Sequence, residues 1–203
     1  MTGIGRSVGW VKERGYGHEF VDVTIEPGSL SASGVAIGAG PIPYRVDYVL
    51  ETGPGFVTSR LTATTHGQGW RRALDLRRAA DGTWNVTSER HGDAPFDPPG
   101  GDMAGLDGAL DCDLEMSPLT NSMPVLRHAM LVGGPPREFL MAWVALPALS
   151  VVPSRQRYVP LGNVRDSHVL VRYESVDGDF VADISFDSDG LVVDYPQLGH
   201  RLG

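Results

Sequence analysis

Residues 168–195 read HVLVRYESVDGDFVADISFDSDGLVVDY and decide the fold class. His168 to Glu174 turns at Asp177-Gly178 into Phe180 to Phe186, which turns at Asp189-Gly190 into Leu191 to Tyr195. An Asp-Gly pair between alternating apolar runs is a hairpin signal. Phe180, Ala182, Ile184 and Phe186 share one face, opposite Val181, Asp183, Ser185 and Asp187. Side chains alternate along a strand with a period of two, so a slip of one residue would turn the apolar face to water; the register is well specified.

The same pattern extends toward the N-terminus. Phe139 to Leu146 is an unbroken apolar run between Gly133-Gly134-Pro135-Pro136 and Pro147. Its Leu, Met and Ala content would suit a helix, but its length fits a strand buried on both faces, and we read it as a strand. Far upstream, Val21, Val23 and Ile25 alternate with polar residues, and Tyr44, Val46, Tyr48 and Leu50 do the same. Val57 to Thr65, Trp70 to Arg78 and Trp84 to Val86 follow as further hairpin strands. Residues 89–105, ERHGDAPFDPPGGDMAG, have no usable period and read as a loop, a lid or a linker; we take a loop within one domain spanning residues 1–203. The expectation is a mainly β (α+β) protein whose long antiparallel sheet must curl or close rather than lie flat.

One stretch breaks the strand pattern: LDCDLEMSPLTNSMPVLR, residues 110–127. Asp111, Asp113 and Glu115 fall on one face of an extended segment. Ser117-Pro118 then offers an N-cap hydroxyl and a proline at the first helical position, predicting a short helix with Leu119, Met123 and Leu126 on its buried side. Thr120, Asn121 and Arg127 are its polar groups, and Pro124 should kink or end it. Asp111-Cys112-Asp113 looks like the paired carboxylates of sugar-nucleotide transferases or dehalogenase-like enzymes. Both need a βαβ rhythm that is missing here, so the bland reading is carboxylates held by arginines or turn amides.

Composition narrows the function. The chain carries 25 acidic and 17 basic residues, a formal charge of −8, which repels nucleic acid and anionic surfaces. Cys112 is the single cysteine, which excludes a disulfide framework, and it sits between two aspartates that disfavour its thiolate. The six histidines are scattered without metal-ligand spacing, so neither a metal nor another cofactor is expected. No signal-peptide core and no run of about 18 apolar residues is seen, so the expectation is a cytoplasmic protein that does not span a membrane. Among the late strands Gln156, Tyr158, Arg172, Tyr173 and Tyr195 mix aromatic faces with fixed polar groups, a combination that suits sugar rings and also occurs in plain sheet packing.

Taken in order, Leu110 to Leu114, Ser117 to Arg127, Gln156-Arg157-Tyr158, Arg172-Tyr173-Glu174 and Asp189 to Pro196 resemble the bacterial putative glycolipid-binding family. Trp10, the Tyr44 to Leu50 strand and Asp81-Gly82-Thr83-Trp84 fit the same pattern. Where that family reads T-P-F-T-N-T-L-P, this chain has Ser117, Leu119, Ser122 and Met123 in place of Thr, Phe, Thr and Leu. The resemblance implies a spiral β-roll, on the order of fifteen strands, wrapped around a single central α-helix, with a fold similar to lipoprotein localisation carriers. It also implies a homodimer and a glycolipid or other amphipathic ligand. We therefore expect a non-catalytic binding protein. The ligand would be held by Asp111, Asp113, Thr120, Asn121, Arg127, Gln156, Tyr158, Arg172, Tyr173 and Tyr195. Leu119, Met123 and the Phe139 to Leu146 run would line its acyl part. The alternatives are an enzyme using Asp111 and Asp113 on a lipid or sugar, and an oligomeric scaffold without ligand.

Overall fold

The computed structural model describes residues 3–13, 17–165 and 168–203. Its first half is a meander of β1 (Ile4–Lys12), β2 (Gly17–Glu26), β3 (Ser29–Gly38), β4 (Tyr44–Thr52), β5 (Thr58–Gly67), β6 (Trp70–Arg78) and β7 (Trp84–His91). The second half holds β8 (Asp111–Leu114), β9 (Arg137–Val144), β10 (Val151–Arg165), β11 (His168–Ser175), β12 (Val181–Phe186), β13 (Val192–Tyr195) and β14 (Gly199–Arg201). All 14 strands form one sheet, in the order 7-6-5-4-3-2-1-14-13-12-11-10-9-8. Strands consecutive in sequence are thus neighbours, except β7 and β8 at the two edges, and the two halves join where the first strand pairs with the last. Trp10 lies opposite Arg201, Val11 opposite His200 and Lys12 opposite Gly199.

The sheet curls without closing. Its edges, β7 and β8, are consecutive in sequence, and the intervening loop closes over the gap: Arg78 Nε and Trp84 Nε1 both donate to the Ala109 carbonyl, at 2.8 and 3.1 Å. The Thr58 amide donates to the Leu110 carbonyl at 3.0 Å. The Glu89-to-Gly105 segment is a loop only beyond His91, because β7 continues through its first residues. Among the described residues no helix is long and apolar enough to cross a membrane.

Strands read from alternation are present, and Phe139 to Leu146 is a strand for most of its length. Not every pair is antiparallel, however: β8 runs parallel to β9, with Asp111 opposite Met141 and Leu114 opposite Val144. Residues 115–136 between these strands carry the chain back across the molecule, the long crossover that parallel neighbours need.

The helix also departs from expectation. Pro118–Asn121 form a 3-10 turn, and the one α-helix among the described residues, α1 (Ser122–Arg127), starts four residues later than predicted. Ser117 does not cap it, because its hydroxyl donates to the buried Glu19 carboxylate at 2.6 Å. Pro124 neither kinks nor ends α1; it sits in the first turn, where its missing N–H would have had no helical partner. Every residue from Ser117 to Val125 is buried. Leu119 and Met123 belong to the larger apolar core, with Trp10, Leu50, Leu61 and Val144, whereas Val125 joins a second core with Tyr158, Ile184 and Phe186.

Strand β3 is built from Ser, Ala and Gly as well as Leu30, Val35 and Ile37. Its glycines make room for tyrosines on β4, opposite which they lie: a Cβ on Gly34 would stand 2.3 Å from the Tyr48 ring, and one on Gly38 would stand 2.4 Å from Tyr44. Tyr48 thereby lies across β3 and reaches Glu19 on β2 with its hydroxyl, at 2.5 Å. Gly34→Ala should cost about 1–3 kcal/mol by overpacking, read as a lower midpoint in urea unfolding. An unchanged midpoint would mean that the Tyr48 ring can leave the strand freely.

Candidate functional site

Three stretches meet beside residues 110–127, the segment central in the sequence. Strand β8 brings Asp113, the 3-10 turn after it brings Thr120 and Asn121, and the period of two along β10 turns Gln156 and Tyr158 to the same side. Asp113 is held by neutral donors: Thr120 Oγ1 donates to Oδ1 at 2.7 Å and Gln156 Nε2 to Oδ2 at 2.6 Å. The Tyr158 hydroxyl donates to Asn121 Oδ1 at 2.9 Å and lies 3.3 Å from Gln156 Oε1. Tyr173, directly opposite Tyr158 on β11, meets it edge to face at 5.5 Å, and Tyr195 of β13 lies 6.0 Å from Tyr173.

A pocket of about 400 Å³ opens beside this network, within the size range of small-molecule sites. Asp113, Asn121, Tyr173 and Tyr195 line it together with Glu115 and Ser154. The Tyr173 and Tyr195 hydroxyls have no hydrogen-bond partner among the described residues. Burial pushes both phenols well up from their ordinary value. Hence they stay protonated and able to donate. Thr120, Gln156 and Tyr158 lie behind the lining and fix its polar groups.

The other predicted residues lie elsewhere. Asp111 does not join the Asp113 network and takes a two-pronged contact from the Arg127 guanidinium, whose Nη1 lies 2.8 Å from Oδ2. Arg127 also donates to the carbonyls of Gly55 and Phe56, at 2.8 and 3.0 Å. This pair ties α1 to the β4–β5 connection. Arg172 lies on the outer face of the sheet, pairing with Asp183 across from it at 2.7 Å with both side chains well exposed. Of the expected acyl lining, Leu119 and Met123 are sealed in the core.

Sequence reading missed a second polar group. Lys12 and Glu19 are both buried, 3.2 Å apart across the β1–β2 hairpin, and Glu19 Oε1 accepts from Tyr48 and Ser117. Strand phase would have found them: Lys12 is in step with the inward Trp10, and Glu19 with the inward Val21 and Val23. Also missed was Met116, which adopts φ +63°. The chain around it leaves no alternative, since the Glu115 amide donates to Val144 O at 2.9 Å and the Ser117 amide to Leu114 O at 3.0 Å. The left-handed conformation costs a non-glycine residue roughly 1–2 kcal/mol. Among the described residues no group of three His, Cys, Asp or Glu side chains is placed to hold a metal ion.

Burial, the largest cause, raises the carboxyl groups of Asp111, Asp113 and Glu115, offset in part by Arg127, by Thr120 and Gln156, and by the Leu146 amide respectively. A raised folded-state value means that the native state binds protons the unfolded chain does not. Stability from these groups is therefore greatest at low pH and falls as pH rises above about 4, the ordinary carboxylate value. Asp113→Asn keeps an acceptor for Thr120 or Gln156 and cannot ionise. Its melting temperature should fall less than the wild type's between pH 4 and pH 7, and parallel curves would show that Asp113 does not contribute. Asp111→Ala leaves a buried guanidinium unpaired and should cost about 3 kcal/mol, whereas Arg172→Ala, at an exposed pair, should cost under about 1 kcal/mol.

The chain is similar to a solved structure of a DUF1089 family protein from Pseudomonas aeruginosa, with 27% sequence identity and a TM-score of 0.69 over 91% of this chain and 92% of that one. No curated protein matches the chain. A family model described as putative glycolipid-binding matches residues 7–201, almost the whole sequence, so the chain belongs to the putative glycolipid-binding family.

Proposed function

We propose that the protein binds a glycolipid without transforming it, holding the sugar head in the pocket lined by Asp113, Asn121, Tyr173 and Tyr195. The observation that carries this reading is the placing of two tyrosines, a carboxylate and an amide on one wall, the tyrosine hydroxyls having no hydrogen-bond partner among the described residues. A sugar presents a rim of hydroxyls and a C–H face, and this wall offers donors, acceptors and aromatic surface at once. Binding rather than catalysis is supported by the state of the carboxylates: Asp113 is held by two neutral donors and Asp111 by Arg127. In this reading the curled sheet is a spiral roll with the 118–127 segment as its filling, and two copies associate as a dimer.

Native mass spectrometry of protein purified without detergent should show co-purifying lipid, and light scattering a dimer. Tyr195→Phe and Asn121→Ala should each weaken binding of an alkyl glucoside by about tenfold, the loss of one hydrogen bond of roughly 1.4 kcal/mol. Fatty-acid binding should be left alone, and Arg172→Ala should change neither. Equal loss for glucoside and fatty acid would mean that these residues merely pack, and no glucoside binding to the wild type would remove the proposal.

A further inference from the structure

A second pocket of about 340 Å³ lies on the other side of the Glu115–Met116 corner, and both residues line both pockets. The two differ in chemistry. The first presents the carboxylate, amide and phenols already described, while the second is walled by Ile37, Ile42, Tyr44, Phe96, Leu146 and Pro147. Lys12 lines this second pocket too, but its ammonium is sealed from solvent beside Glu19, so the side chain offers its methylenes. Ile37 stays 48% exposed at this site, an apolar side chain left uncovered next to an apolar cavity. Between the two stands Met116, the residue the chain holds at positive φ. Backbone strain at a non-glycine position persists where its surroundings impose it, and here it sets an unbranched, adaptable side chain at the corner that the two pockets share.

We infer that the two pockets are the ends of one ligand site: the apolar pocket takes a single acyl chain of the ligand whose sugar head occupies the polar one, and the chain passes over Met116. This inference rests on the sugar reading of the first pocket and adds where the hydrocarbon goes. Burying methylenes against apolar walls strengthens binding with every carbon enclosed, so affinity should depend on chain length through this pocket.

The experiment uses dodecyl β-glucoside, kept below its micelle-forming concentration, and methyl β-glucoside, with binding to the full-length protein followed by calorimetry. Wild type should bind the dodecyl compound far more tightly. Ile42→Asp, at a residue that lines only the apolar pocket, should weaken dodecyl glucoside by at least about tenfold and leave methyl glucoside unchanged. Ile37→Glu, at a half-exposed position that tolerates charge, serves the same purpose if Ile42→Asp fails to fold. Unchanged dodecyl affinity in these variants, with methyl glucoside still bound, would overturn the acyl assignment and leave the head-group pocket standing. A wild type that binds neither glucoside would overturn both.

Discussion

The pairing of the first strand with the last is the constraint on which the architecture depends. The strand order leaves each half a run of neighbouring hairpins, and only the β1–β14 contact makes them one sheet. That contact is short but reinforced. Trp10 buries its ring and donates from Nε1 to Val192 O at 3.0 Å, and Arg201 donates to the same carbonyl from Nε at 3.0 Å. The strands approach so closely at Gly199 that a Cβ there would stand 2.3 Å from Val11 O. Trp10 also belongs to the core that contains Leu119, Met123 and Val144, so the seam and the central segment hold each other in place.

Inside that frame, buried charge acts as an alignment device. A carboxylate enclosed among apolar side chains is expensive unless its acceptors are used. Glu19 uses its own on β1, β4 and the 115–118 corner at once, through Lys12, Tyr48 and Ser117. Asp111 does the same between β8 and α1 through Arg127. A shift of the central segment by one residue would strand these groups without partners. The positions of Glu115, Met116, Thr120 and Asn121 relative to the sheet are thus fixed by electrostatics as much as by packing, and that rigidity gives the pocket a defined wall.

Much of this could be read from the residues, and the misses have physical causes. Alternation located the strands wherever the inward residues are large, as in Val21-Val23 or Phe180 to Phe186, and faltered at β3, where small residues replace bulk so that tyrosines from β4 can cross it. The parallel β8–β9 pair was hidden because partner choice there depends on where a 22-residue crossover returns, which no local pattern encodes. The placement of Arg172 was legible and overlooked: adjacent residues in a strand face opposite ways, so Arg172 and Tyr173 could not both enter one pocket. The same parity would have shown Glu19 and Lys12 to be inward. The polar group around Asp113 was found because Thr120, Asn121, Gln156 and Tyr158 all belong to the motifs that carry the family resemblance.

The seam also sets a schedule for synthesis. Trp10 and the carbonyl it binds are 182 positions apart, so the contact that unites the sheet waits until residues 192–201 have left the ribosome. The hairpins of the first meander are local and can close as they emerge, because contacts of short sequence separation form early. Until residues 192–201 arrive, that meander carries an open β edge with Trp10 uncovered, the kind of surface that other chains pair with. A nascent chain, or one cut before residue 192, is therefore a very different object from one that contains β14: its β1 edge is unpaired and aggregation-prone.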